Sequence, residues 1–271
     1  MKLHDILIVS DIDGTLLPEN LPIPIRNREA LQRFSAKGGR FTLATGRSIG
    51  SAGRFLGELP IINVPAVCLN GCLLYDYASE TVLARCELQK EETAPLVRTL
   101  YSRFPQLGME CFYDASVGII RRNRYIGNTK TPEIFSFTQG EETACFQPWL
   151  KILLGGEPKY IQEALAYASA QPHPGLRLVL SSENFLELLP ESASKGAMLR
   201  LLAGRLSIPL SHVYAVGDFY NDEELLAAAG HAVVPANAPE ELQRKAELVV
   251  CDCQEGALAD LVEYLERKYP D

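Results

Sequence analysis

Two regimes of apolar and polar patterning share this 271-residue chain. Residues 6–10 form a short apolar run that predicts a buried strand. Residues 27–36 then take helical spacing, with Ala30, Leu31 and Phe34 on one side, and Gly38-Gly39 stops them. Residues 41–44 predict a second strand and 48–56 a second helix. Residues 66–69 predict a third short strand, ending at the turn pair Asn70-Gly71. Strand–helix–strand–helix–strand implies right-handed crossovers and a parallel sheet.

The pattern then changes. Residues 81–88, 108–113 and 117–121 predict strands with shorter connections, and residues 91–103 a helix among them. A strand at 150–154, an amphipathic helix at 158–169 and strands at 176–180 and 185–189 follow. This mixture of hairpins and helices predicts a separate α/β module inserted at 77–182 into a core made of 1–76 and 183–271. From Ser194 the first regime returns: helices at 195–205, 222–229 and 256–268 alternate with strands at 213–216, 232–234 and 248–250. The fold class expected is α/β, a doubly wound parallel sheet carrying an inserted α/β module.

Composition narrows the function. The chain is 47% hydrophobic with a net charge of -8, so binding nucleic acid through a basic surface is not expected. No apolar stretch approaches the roughly 20 residues of a membrane span, and the first residues lack the apolar core of a signal peptide. Seven scattered cysteines, among them Cys68, Cys86 and Cys111 in strand-like runs, read as reduced buried thiols of a cytoplasmic protein. Cys251-x-Cys253 lacks the second ligand pair of a zinc site.

Ligands of open parallel sheets bind beyond the C-terminal ends of the strands. Four polar clusters fall at such ends. Asp11 and Asp13 follow the first strand and, at period 2, point the same way. Two carboxylates so close repel unless a cation sits between them or one takes a proton. Oxygen ligands of this kind suit Mg2+, and a carboxylate can also attack phosphorus. Thr45-Gly46-Arg47 offers a hydroxyl and backbone N–H groups to a phosphate at a helix start. Lys195, preceded by Ser192 and Ser194, starts another helix. Gly217-Asp218-Phe219-Tyr220-Asn221-Asp222 follows the strand at 213–216. Phosphoryl transfer needs a nucleophile, a metal, positive groups on the phosphoryl oxygens and a proton donor for the leaving group, and the four clusters supply each. Singly, each has a plainer reading: turn, helix cap or solvated lysine.

In order and spacing, Asp11-x-Asp13-Gly14-Thr15, Thr45-Gly46-Arg47, Lys195-Gly196 and Gly217-Asp218-x-x-Asn221-Asp222 resemble the four motifs of the haloacid dehalogenase superfamily. The long insert resembles the cap of its Cof-type branch, subfamily IIB. The resemblance spans nearly the whole chain. It implies a Rossmann-like core with a C2-type α/β cap and a Mg2+-dependent phosphatase acting on small phosphorylated metabolites, sugar phosphates foremost. It also implies Asp11 as nucleophile and Asp13 as general acid, then base. Mg2+ would be held by Asp11, the Asp13 carbonyl and Asp218, with Asp222 close by. Thr45, Gly46, Lys195 and Asn221 would hold the phosphoryl group.

Other residues are open to two readings. Asn70 lines the site or merely turns the chain. Arg47 approaches the substrate or pairs with an acid such as Glu183 or Glu187. Arg121, Arg122 and Arg124 meet a second anionic group or form a solvated hairpin, the plainer reading. Trp149 is expected to pack in a core. Two other functions remain in view: a phosphosugar mutase using the same aspartate, and a binding protein with a silent site. The presence of every motif residue disfavours the latter.

Overall fold

The computed structural model of the protein describes residues 2–18, 21–54, 62–114, 116–126 and 148–270. They gather into two compact units. One comprises Met1–Arg47, Ser51–Ala84 and Ser194–Asp271; the other comprises Ser48–Gly50 and Arg85–Ala193.

The first unit is built on a five-stranded parallel sheet. Its strands lie in the order Leu248–Val250, His231–Pro235, Val213–Val216, Leu7–Ser10, Arg40–Leu43. Leu7, Ile8 and Val9 are wholly buried, as expected of a strand covered on both faces. The chain order reverses at the first strand: the second strand lies on one side of it and the third, after the long excursion, on the other. The register aligns the strand ends, because Ser10 is level with both Val216 and Leu43. Asp11, Ala44 and Gly217 therefore leave the sheet at one edge, at the topological switch point where ligands of such sheets bind.

Helices Ile25–Ala36 and Ala257–Lys268 pack together, as do Lys195–Leu206 and Glu223–Ala228. Asn27 ties the first pair. Its Nδ2 donates to the Leu16 carbonyl at 2.8 Å, and its Oδ1 accepts from the Ala259 N–H at 2.9 Å. Two elements carried no clear signal: strand Leu73–Asp76 and helix Glu240–Lys245. The expected helix 48–56 is seen as Ile49–Gly53, and its last two residues lie outside those described.

The second unit is an antiparallel sheet ordered Val117–Arg121, Gly108–Phe112, Lys151–Gly155, Phe185–Pro190, Leu176–Ser182. Helices Lys90–Arg103 and Pro158–Ser169 share an apolar core with it through Leu100, Met109, Cys111, Ile152, Ile161 and Leu188. Trp149 packs in the same core. The boundaries differ from the expected 77–182. Strand Phe185–Pro190 pairs on both sides within this sheet, so the unit runs on to Ala193. Strand Thr81–Arg85 completes a three-stranded meander with Ala66–Cys68 and Leu73–Asp76, so the chain through Ala84 belongs to the first unit.

Two basic residues of this unit have structural partners. The Arg121 guanidinium donates to the carbonyls of Tyr101 at 2.7 Å and Phe104 at 2.9 Å, closing the C-terminus of helix Lys90–Arg103. Arg124 pairs with Glu157 on the surface at 3.1 Å. Among the described residues no helix is long and apolar enough to cross a membrane.

Candidate active site

The four polar clusters of the first unit converge. Lys195, the first residue of its helix, is capped from the preceding position, where Ser194 Oγ accepts from the Ala197 N–H at 3.0 Å. Its ammonium lies 2.9 Å from Asp11 Oδ1 and 2.6 Å from Asp222 Oδ1, with the lysine side chain 1% exposed. The other Asp222 oxygen accepts from the N–H groups of Asp218 and Phe219 at 3.1 and 3.3 Å. Both Asp222 oxygens are thus engaged, and this residue sets the lysine and the loop rather than a ligand.

Asp218 is oriented by Thr15, whose hydroxyl donates to Oδ1 at 2.6 Å. Gly14 makes room for it. Its φ is +78°, and a Cβ there would collide with Asp218 Oδ2. The Gly14 carbonyl is held in turn by Asn237 Nδ2 at 2.8 Å. Nothing in the sequence around Asn237 signals this contact.

Asp13 turns a different way. Its carboxylate receives a two-pronged grip from Arg47, Nε to Oδ2 at 2.7 Å and Nη2 to Oδ1 at 2.5 Å. Arg47 therefore pairs with Asp13, not with Glu183 or Glu187. Glu187 is bound instead to buried Lys151 of the second unit at 3.1 Å. The hydrogen bond and charge of Asp13 hold the Arg47 pKa above its usual range, against the opposing effect of burial. Thr45 is buried and accepts from the Arg47 N–H at 3.1 Å, which leaves its hydroxyl proton to donate. Asn221 Nδ2 donates to Asn70 Oδ1 at 3.3 Å.

Four carboxylates (Asp11, Asp13, Asp218, Asp222) face two basic groups, Lys195 and Arg47, an excess of two negative charges. That excess bears on the protonation of each group. Burial pushes Asp11 well above the carboxylate range, with Lys195 opposing and the neighbouring aspartates reinforcing the shift. Asp218 is raised to about 7 by burial and by Asp222, with the Thr15 bond opposing. Burial works against the charge on Lys195, but Asp11 and Asp222 outweigh it and raise its pKa. A divalent cation would neutralise this donor set. Ligand oxygens of Asp11, Asp218 and Asp222 lie within 4.8 Å of one another. Since Asp222 is committed to Lys195 and the loop, Asp11 and Asp218 are the better-placed pair.

The chain matches the haloacid dehalogenase-like hydrolase family over residues 8–262. It is 26% identical over 288 residues to the 5-amino-6-(5-phospho-D-ribitylamino)uracil phosphatase YwtE of Bacillus subtilis, covering 95% of this chain and 97% of that one. It is also 26% identical over 266 residues to the pyridoxal phosphate phosphatase YbhA of Escherichia coli, covering 94% and 97%. Among solved structures, a HAD subclass IIB sugar phosphatase has the same fold, with a TM-score of 0.81 at 20% identity over 95% of this chain and 98% of the other. With the family matched across nearly the whole chain and its motif residues drawn together at one sheet edge, this chain belongs to the haloacid dehalogenase-like hydrolases.

Proposed function

We propose that this chain is a Mg2+-dependent phosphatase of small phosphomonoesters, sugar phosphates foremost, working through an aspartyl-phosphate on Asp11. The observation that carries the reading is the division of two neighbouring aspartates between two settings. Asp11 is buried against the Lys195 ammonium, while the Asp13 side chain is 42% exposed and gripped by Arg47. Lys195, joined by a bound cation, would offset the burial of Asp11 and hold it ionised for attack, while the more exposed Asp13 can exchange a proton with the leaving group and with water. The relatives act on a phosphoribitylaminouracil and on pyridoxal phosphate. Both are small phosphomonoesters, which supports that substrate class.

In the first half-reaction an Asp11 carboxylate oxygen attacks phosphorus. The bond from phosphorus to the ester oxygen breaks, and that oxygen takes the proton of the Asp13 carboxyl. In the second, water attacks the same phosphorus and yields its proton to the Asp13 carboxylate. The phosphorus–oxygen bond to Asp11 then breaks, releasing phosphate. The Arg47 grip fits the ionised Asp13 that begins this second half. Lys195, the Thr45 hydroxyl, the Gly46 N–H and Asn221 would hold the phosphoryl oxygens, while Asp222 holds Lys195. A bound Mg2+, on Asp11, Asp218 and the Asp13 carbonyl, would supply charge neutralisation for the dianion. The second unit, without any of these residues, would read the leaving group as a cap, and the free thiols among the described residues support a cytoplasmic setting.

The test is phosphate release across a panel of phosphorylated metabolites with Mg2+, for the unaltered protein and for Asp11→Asn. The expected result is turnover by the first and none by the folded variant. Substantial release by well-folded Asp11→Asn removes the nucleophile assignment. Isomerised hexose phosphate without free phosphate makes the protein a mutase.

A further inference from the structure

Outside the four polar clusters, one buried turn has an unusual backbone. Leu69 and Asn70 are consecutive and both left-handed, at φ 52° and 54°. Their accessibilities are 0% and 3%. The left-handed region costs a non-glycine residue roughly 1–2 kcal/mol, so such a pair persists only where its surroundings enforce it, which happens disproportionately at functional sites.

The surroundings here belong to the phosphoryl-binding loops. The Leu69 N–H donates to the Arg47 carbonyl at 3.0 Å and the Asn70 N–H to the Thr45 carbonyl at 2.9 Å. Gly71 presses against the start of the Lys195 helix, where a Cβ would collide with the Ser194 carbonyl. The turn is thus clasped between two of the motif segments, and its side chain reaches a third. Asn70 Oδ1 accepts from Asn221 Nδ2 at 3.3 Å. On the other side, a Cβ built on Gly46 would lie 3.1 Å from Asn70 Nδ2 and 3.3 Å from Oδ1.

We infer that Asn70 is a phosphoryl-positioning residue: the left-handed turn sets its carboxamide between Gly46 and Asn221 and holds both towards the transferred group. This deepens the phosphatase reading and rests on it for the roles of Gly46 and Asn221. The chemistry suits the place. Asparagine tolerates the left-handed backbone better than most residues. Its amide is neutral, so it orders Asn221 without adding to the negative charge a phosphate dianion must meet. A plain turn would need neither the amide nor its neutrality.

Two substitutions separate the roles. Asn70→Gly suits the backbone and removes the amide. Asn70→Asp keeps the shape and an acceptor for Asn221 but adds a charge. We expect both variants to keep a cooperative thermal transition. Each should lose at least tenfold in kcat/KM and in affinity for inorganic phosphate, measured by calorimetry with Mg2+ present, and Asn70→Asp should lose more. Joined to Asn221→Ala, Asn70→Gly should cost no more than twofold beyond the worse single variant, because the two act as one unit. Glycine and aspartate variants both within threefold of the unaltered protein in phosphate affinity overturn the inference, as does full multiplicative loss in the double variant. If the unaltered protein releases phosphate from no ester, the phosphatase reading fails by itself. The phosphate affinities then decide the role of Asn70.

Discussion

Lys195→Met removes the positive charge set between Asp11 and Asp222 while keeping an unbranched apolar side chain. Lys195 Nζ stands 2.6 Å from Asp222 Oδ1 and 2.9 Å from Asp11 Oδ1. At an effective dielectric of about 20, each contact corresponds to about 6 kcal/mol of attraction before desolvation. Desolvation of three buried ions offsets much of this, and breaking a buried pair by deleting one partner typically costs about 3–5 kcal/mol. We expect that loss at pH 7.5 without divalent cations, in urea unfolding. The loss should also depend on pH. In the unaltered protein the pKa of Lys195 is raised, so its stabilisation is complete below the ordinary lysine range and constant between pH 5 and 7.5. Asp11 is already raised by burial, with Lys195 the main opposing group, so removing the ammonium raises it further. The folded variant then binds more protons than the unfolded chain above pH 3.8, and its stability falls as pH rises towards the raised pKa. The variant should therefore approach the unaltered protein at pH 5 and part from it at 7.5. Phosphate release should fall by about 10^2–10^3, the usual effect of losing one transition-state donor. A stability loss below about 1 kcal/mol at pH 7.5, or an equal loss at both pH values, would refute the charge-balance argument.

Two further outcomes follow from the same site. Gly14→Ala should cost about 1–2 kcal/mol from its left-handed backbone alone, and because its Cβ collides with Asp218 it should also weaken Mg2+ binding at least tenfold; calorimetric Mg2+ affinity unchanged by the substitution would show that Gly14 does not set Asp218. Mg2+ at about 100 times its dissociation constant at pH 8 should stabilise the protein there by about 2.7 kcal/mol, and the same concentration should stabilise it less at pH 5, because Asp218, at about 7, sheds its proton between them; thermal unfolding with Mg2+ and with EDTA at both values checks this, and an equal shift at both would show that the cation does not displace that proton.

The legibility of the fold in the sequence follows the physics of each element. Strand 213–216 was readable because burial on both faces demands a continuous apolar run, whereas 248–250, at the sheet edge with Val249 exposed, showed only as a short apolar stretch; both match to the residue. The helix expected at 195–205 and seen at Lys195–Leu206 was readable from its Ser cap and spacing. The module boundaries were not. Whether strand 185–190 joins one sheet or the other depends on its partners, Lys151–Gly155 and Leu176–Ser182, and pairing leaves no mark on a single strand's composition. The Leu73–Asp76 strand was hidden for a related reason: Asn70-Gly71 announces the turn before it, but the strand declares itself only through its antiparallel pairing with Ala66–Cys68.

Sequence alone determined the identity of the chemical groups and their order along the chain: Asp11 and Asp13 two residues apart, Thr45 and Gly46 at a helix start, Lys195 behind its cap, and Asp218 ahead of Asn221 and Asp222. These are local requirements, met by neighbours in the chain. Tertiary structure alone decided which group faces which. It gave Arg47 to Asp13, Lys195 to both Asp11 and Asp222, Thr15 to Asp218, and Asn237 to Gly14. Apart from the two made by Lys195, which comes from a helix start, these contacts join loops brought together by strand register. The energy that selects among them, desolvation balanced against charge, exists only once those loops are buried side by side.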